Sequence, residues 1–209
     1  MKTLVLGSTS PFRKSILEKL QLPFLCATPN IDESEQTNES ASSLVQRLAI
    51  EKAKTVAPEY LDALIIGSDQ VAWCDGKIIG KPHNFDNAVK QLTSFSGKSI
   101  TFYTGLCVFD TQKGSSVSVV ETYTVHFKNL SLTDITNYLN TEQPFNCAGS
   151  FKSEGLGICL FSRLEGDDPN TLIGLPLIKL VALLKQQGLD VLHEQNLLNN
   201  EYTINSAVL

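Results

Sequence analysis

The chain begins with Leu4-Val5-Leu6-Gly7-Ser8-Thr9-Ser10-Pro11, an apolar run broken by a small polar turn and restarted by proline. Leu4 to Leu6 show no alternation with polar residues, which reads as a short strand covered on both faces. Pro11 suits the first turn of a helix capped by Ser10. A strand buried on both sides that feeds straight into a helix commits the chain to α/β layering. The same junction leaves a helix N-terminus flanked by serine hydroxyls, where unpaired N–H groups and the helix dipole favour a phosphate. At about 100° per residue, Ile16, Leu17 and Leu20 share one apolar sector. Arg13 falls inside it, whereas Lys14 and Glu18 point away. Arg13 is therefore expected at the anion site. Taken alone, it fits equally well a guanidinium snorkelling at a helix end or paired with a structural carboxylate.

A second inward charge follows from the same periodicity. Ser40 to Ala57 reads as a helix whose buried sector is Leu44, Val45, Leu48, Ala49 and Val56, with Lys52 in its middle. An inward lysine needs a carboxylate or a bound anion. Arg47, Glu51 and Lys54 fall opposite, where pairing on a solvated face accounts for them, and Ile50 points outward against the pattern. Leu61 to Gly67 contains the apolar run Ala63-Leu64-Ile65-Ile66, suited to a strand covered on both faces, and delivers Ser68-Asp69-Gln70 at its end, where α/β sites form. Val71 to Cys74, the turn Asp75-Gly76 and the return to Pro82 form a hairpin that brings Lys81 toward Asp69. A strand over Leu22 to Ala27 leads to an acidic loop, Pro29 to Glu35, that carries Glu33.

Beyond these, the pattern predicts a helix starting near Asn84 to Asp86 and a long hairpin of Ile100–Asp110 with Ser116–Leu130, on which His126 is a solvated strand residue. A helix over Leu132 to Leu139 precedes an irregular, exposed segment from Gln143 to Gly155. A strand over Gly157 to Ser162, a turn at Gly166 to Asn170 and a helix over Leu177 to Gln187, closed by Gly188, complete one domain of residues 1–188. Residues 189–209 lack firm periodicity and are expected to be a loosely ordered tail.

Composition narrows the partners. A net charge of -5 disfavours general affinity for nucleic acid or an anionic membrane, so a phosphate-bearing partner is expected to be small. Cys26, Cys74, Cys107, Cys147 and Cys159 are scattered without a CxxC pair and read as reduced core thiols. No histidine lies at metal-ligand spacing to another His or Cys. The first strand follows Met1-Lys2-Thr3 directly, and no apolar run reaches membrane-spanning length. These features predict a soluble, cytoplasmic protein.

Arg13, Lys52 and Lys81 supply cations, while Glu33 and Asp69 supply carboxylates. That combination describes a polyphosphate site with a divalent metal and an acceptor for the proton of attacking water. Glu33 in isolation fits a structural salt bridge better. Neither GxxxxGK with a following Ser or Thr nor GxGxxG is present, which excludes an ordinary P-loop enzyme and a dinucleotide binder.

The chain resembles the Maf-like nucleoside triphosphate pyrophosphatases over nearly its whole length up to Gly188. The resemblance rests on Ser8-Thr9-Ser10-Pro11-Phe12-Arg13, Asp32-Glu33, Arg47 to Ala53, Gly67-Ser68-Asp69-Gln70, Gly80-Lys81-Pro82, Ser96-Gly97-Lys98 with Tyr103-Thr104-Gly105, Cys147 to Gly155, and Gly174-Leu175-Pro176, in the family's order. It implies an elongated mixed β-sheet flanked by helices, as in inosine-triphosphatase-like folds, with two lobes and a central cleft. It also implies hydrolysis of a nucleotide between its α- and β-phosphates. By position, Asp69 is the implied proton acceptor, and Ser8, Ser10, Arg13, Lys52 and Lys81 bind substrate. Glu33 with Asp69 holds Mg²⁺ or Mn²⁺. Phe12, Gln70 and Glu154 resemble the branch acting on 7-methyl-GTP. N7 methylation makes guanine cationic, an aromatic face attracts a cation, and a carboxylate accepts the base's two N–H donors. Two alternatives stay open: a broader house-cleaning pyrophosphatase, and a nucleotide-binding regulator of cell division. A homodimer is expected only by analogy.

Overall fold

The computed structural model describes residues 2–197. Its elements are Thr3–Gly7 (β1), Pro11–Glu18 (α1), Leu25–Ala27 (β2), Ala41–Val56 (α2), Ala63–Cys74 (β3), Lys77–Ile79 (β4) and Phe85–Phe95 (α3). Ser99–Asp110 (β5), Ser115–Phe127 (β6), Leu132–Glu142 (α4), Phe161–Glu165 (β7), Pro169–Ile173 (α5) and Leu177–Gln186 (α6) follow. The helices start where polar caps allow. Ser10 and Ser40 accept backbone N–H groups at the heads of α1 and α2, and Ser131 with Asp134 forms a reciprocal capping box on α4.

One seven-stranded mixed sheet results, in the order β2-β1-β3-β5-β6-β7, with β4 paired to β3 off this path. β1 is parallel to β2 and β3, whereas β3, β5, β6 and β7 run antiparallel in succession. Four apolar clusters fill the described residues, two smaller ones lying under α2 and the two largest forming the cores of separate lobes. One packs Leu4, Leu6, Ile16, Leu17, Leu64 and Ile66 together under α1 and α6, with Leu180 of α6 fully covered. The other gathers Leu92, Phe95, Phe102, Phe127, Ile135 and Leu139 under α3 and α4. These cores are the two lobes, and the sheet runs through both.

Register opens the space between them. β1 ends at Gly7, opposite Gly67, but β3 continues to Cys74 as the antiparallel partner of β5. Ser68-Asp69-Gln70 therefore sits on a strand whose parallel neighbour has just turned away. Leu61–Gly67 and Val71–Cys74, expected as separate strands, are one strand for this reason: β5 keeps pairing with it through the polar residues.

Helix α2 lies unusually close to this strand. An added Cβ on Gly67 would stand 2.0 Å from the Ala49 carbonyl oxygen, and one on Gly105 would stand 2.0 Å from that of Val45. Gly105 pairs directly with Asp69, so both glycines let the helix backbone rest on the sheet beside the future site.

Several local expectations shift. The strand expected over Leu22–Ala27 is only Leu25–Ala27. Leu156–Leu160 is a 3₁₀ turn and the strand starts at Phe161, because the N–H of Gly157 folds back 3.1 Å from the Lys152 carbonyl. The expected turn at Gly166–Asn170 opens instead into α5, which Asp168 caps through the N–H of Asn170 at 2.8 Å. In the expected tail, residues 191–197 are helical, Leu189 and Val191 are buried, and Gln195 donates to the carbonyls of Leu20 and Gln21. Apolar contact with the first lobe orders that part, and residues 198–209 lie outside the described residues. Only Cys74 and Cys107 are core thiols; Cys147 is half-buried, and Cys26 and Cys159 are exposed. No helix among the described residues is long and apolar enough to cross a membrane.

Gly67→Ala forces α2 off the sheet at its tightest approach. It is expected to cost about 1–3 kcal/mol of stability, read as a lower midpoint in urea or thermal denaturation.

Candidate active site

A cleft of about 840 Å³ opens between the lobes, and every site residue expected from the sequence lines it. Its floor is the stretch of β3 beyond Gly67. There Asp69 is 6% exposed and Lys52, from the buried face of α2, is 5% exposed. The Lys52 ammonium donates to Asp69 Oδ1 at 2.6 Å and lies 2.9 Å from Glu33 Oε1. A buried ammonium is tolerable only with such partners. Asp69 is the covered member of the pair and Glu33, 58% exposed, is the outer one. Asp69 Oδ2 has no partner among the described residues. Since no fully buried side-chain polar atom there is unpartnered, Oδ2 opens to the cleft.

The head of α1 forms one wall. Ser10 caps the helix by accepting from the N–H of Arg13 at 3.4 Å, and buried Ser8 accepts from the N–H of Ser10 at 3.1 Å. Arg13 Nε donates to the Gly174 carbonyl at 2.9 Å, and Nη1 reaches Ser8 Oγ at 3.5 Å. The guanidinium is thus aimed by its inner nitrogen and keeps outer N–H groups for an anion. Burial is the main influence on Arg13 and lowers its pKa, while the negative charges of Asp69 and Glu33 pull the other way.

Short helix α5 closes the back, a part of the site that its five residues hid from any periodicity. Its C-terminal carbonyls receive the site's own donors: Ser68 Oγ and Arg13 at Gly174, and Thr104 Oγ1 and Gln70 Nε2 at Thr171. Gln70 Nε2 also lies 2.8 Å from Thr104 Oγ1. Carbonyls only accept, so the amide nitrogen of Gln70 is committed to protein and its carbonyl oxygen is the group left for a ligand. Phe12 lies at the α1 wall, and Glu154 and exposed Lys81 line the same cleft on the second lobe. Lys81 forms no ion pair among the described residues. Cys147 also lines the cleft, and burial raises its thiol pKa.

Arg47 belongs with the site, although its helical phase points it away from the sheet. The acidic loop folds back over that outer face. Arg47 grips Glu39 with two bonds of 2.7 Å, reaches the Ser34 carbonyl at 3.0 Å and pairs with Glu51 at 3.1 Å. The loop bearing Glu33 is therefore clamped next to that residue and again at its end. The bidentate hydrogen bonds raise the Arg47 pKa and lower that of Glu39.

A family profile described as Maf-like protein matches residues 3–187. The chain belongs to the Maf-like family. This Maf-like chain is 76% identical over 196 residues to a protein of Colwellia psychrerythraea (strain 34H) named 7-methyl-GTP pyrophosphatase, covering 94% of this chain and 98% of that one. A protein of the same name from Pseudoalteromonas translucida (strain TAC 125) is 56% identical over 193 residues, covering 92% and 96%. Among solved structures, the Staphylococcus aureus Ham1 protein aligns at 14% identity with a TM-score of 0.44, over 61% of this chain and 73% of that one.

The Maf-like cleft suits a hard divalent cation. Asp69 Oδ1 and Glu33 Oε1 converge on the Lys52 ammonium, so the carboxylate oxygens without a partner among the described residues are Asp69 Oδ2 and Glu33 Oε2, hard donors of the kind a divalent cation takes together with phosphate and water oxygens. Among the described residues, no three His, Cys, Asp or Glu cluster to hold a metal by themselves.

The clamp on the Glu33 loop titrates with Glu39, whose pKa is depressed below its ordinary 4.5. Its contribution is intact above that value and is lost as pH falls through the depressed one. Protection from hydrogen exchange across residues 30–40, taken relative to the intrinsic amide rate at each pH, is expected to be higher at neutral pH than in stronger acid. In Arg47→Ala protection should be low throughout.

Proposed function

We propose that this Maf-like protein hydrolyses 7-methyl-GTP between its α- and β-phosphates, releasing 7-methyl-GMP and pyrophosphate. The carrying observation is that the Asp69–Lys52–Glu33 cluster shares one cleft with Phe12 and Glu154. The name of the relatives at 76% and 56% identity supports the same substrate.

The triphosphate lies against the α1 N-terminus, where outer N–H groups of Arg13 and the ammonium groups of Lys52 and Lys81 take non-bridging oxygens. Water sits against Asp69 Oδ2, the open oxygen, and gives up its proton there as it attacks the α-phosphorus. Lys52 holds Oδ1 and so fixes the direction of Oδ2. Arg13, held by Gly174, keeps its charge where the departing pyrophosphate gathers its own. Glu33 and Asp69 are the residues that would hold Mg²⁺ or Mn²⁺, which when bound would supply further neutralisation of the phosphate oxygens. At the base, the Phe12 ring faces the cationic methylated purine, and Glu154 accepts its Watson–Crick N–H donors. Gln70 offers an acceptor only. The net charge of -5 accords with a free nucleotide as substrate, acted on in the cytoplasm, rather than a nucleic acid.

Pyrophosphate release from 7-methyl-GTP, GTP, UTP, dTTP and CTP, with Mg²⁺ and with Mn²⁺, tests this. Release should favour 7-methyl-GTP, and Asp69→Asn should lower turnover by about 10²-fold or more without unfolding the protein. The Phe12→Arg/Glu154→Gln double variant should lose much of the preference for the methylated base. Preferred turnover of pyrimidines would discard the base assignment, and full turnover by Asp69→Asn would discard the proton acceptor. No release from any nucleotide would leave binding without hydrolysis as the better account.

A further inference from the structure

Glu142 is the last residue of α4, where a carboxylate meets the unfavourable negative end of the helix dipole. It is nevertheless largely covered, 18% exposed, because it grips the arch of residues 152–156. Glu142 Oε2 accepts the N–H of Leu156 at 2.8 Å, and Oε1 lies 3.4 Å from Lys152 Nζ. That ammonium also donates to the carbonyl of Glu142 at 3.1 Å, satisfying a helix-end acceptor. One turn earlier on α4, Tyr138 Oη accepts the N–H of Lys152 at 3.0 Å. The arch is therefore tied to α4 on both sides of Glu154.

The other ties on the arch are local: buried Phe151 packs into the second core just before it, and the N–H of Gly157 returns to the Lys152 carbonyl at 3.1 Å just after it. Leu156 is 45% exposed and borders a second cavity of about 450 Å³, so apolar packing does not anchor that end. Among the described residues the Glu154 carboxylate accepts a hydrogen bond only from Ser153 Oγ, at 3.3 Å, and takes its direction from the arch backbone. Gly155 permits the grip, since a Cβ there would come within 2.7 Å of Glu142 Oε2.

We propose that Glu142, with Tyr138, is a positioning residue for base selectivity: from outside the cleft it fixes where Glu154 presents its carboxylate. This rests on the reading that Glu154 accepts the base. A displaced Glu154 weakens recognition of guanine N–H donors but leaves the phosphate machinery in place, so the effect belongs in the KM of the guanine substrate.

The test measures kcat and KM for 7-methyl-GTP and UTP with the wild type, Glu142→Ala, Glu142→Gln, Glu154→Gln and the Glu142→Ala/Glu154→Gln double variant. Glu142→Ala should lower the ratio of kcat/KM for 7-methyl-GTP to that for UTP by about tenfold, mainly through KM. Glu142→Gln, which keeps an acceptor for Leu156, should retain most of the ratio. The double variant should be no less selective than Glu154→Gln alone, the signature of two residues acting through one group. A ratio lowered by Glu154→Gln but untouched in folded Glu142→Ala would overturn this proposal and leave the base reading standing. A ratio indifferent to Glu154→Gln would remove the base reading and this proposal together. Should Glu142→Ala not fold, Tyr138→Phe, which deletes only the hydroxyl used by Lys152, must lower the ratio at least about threefold; an unchanged ratio would overturn the proposal.

Discussion

A lysine buried beside an aspartate sets the terms for the rest of the molecule. Lys52 and Asp69 meet at 2.6 Å with almost no solvent on either, and Glu33 at 2.9 Å completes the pairing that makes a buried ammonium tolerable. Bringing a helix lysine that deep requires the α2 backbone to rest on the sheet, which in turn requires Gly67 and Gly105 beneath it. The strand bearing Asp69 must also outlast its parallel neighbour, as β3 does beyond Gly7 and Gly67. One ion pair thus links helix height, two glycines and strand register.

Around this fixed floor the remaining chemistry is carried by loops, and each loop is held from behind. Arg47 clamps the segment bearing Glu33 from the outer face of α2. Glu142 and Tyr138 hold the arch bearing Glu154 from the end of α4. The carbonyl end of α5 takes Arg13, Ser68, Thr104 and Gln70 at once, so the α1 wall and the β3 floor of the cleft share a backing. Side chains that never enter the cleft decide where those inside it point.

The first strand, its turn and the capped helix were legible because apolar runs and caps are local signals, and Ser10 and Pro11 fall where the pattern puts them. The inward turn of Arg13 and Lys52 was legible from periodicity for the same reason. The unbroken β3 was not, because Ser68-Asp69-Gln70 looks like a strand's end until β5 is known to pair with it. Helix α5, bounded by Asp168 and Gly174, is too short for its buried Leu172 to show a period. Periodicity puts Arg47 on the face of α2 away from the sheet, but only tertiary structure shows that an acidic loop covers that face. Glu142 escaped notice because its partners lie ten and fourteen residues away across an irregular segment. Residue chemistry alone reached a polyphosphate site; the family resemblance supplied the scissile bond and the base.

The central claim is that Asp69 Oδ2 directs water to the α-phosphorus while the cations hold the departing pyrophosphate. Hydrolysis of 7-methyl-GTP in ¹⁸O-water, with mass analysis of both products after a single turnover, tests it most directly. Attack at the α-phosphorus places the label in 7-methyl-GMP and leaves the pyrophosphate unlabelled. Label in the pyrophosphate would mean attack at the β-phosphorus and would contradict the arrangement described for Asp69, Lys52 and Arg13.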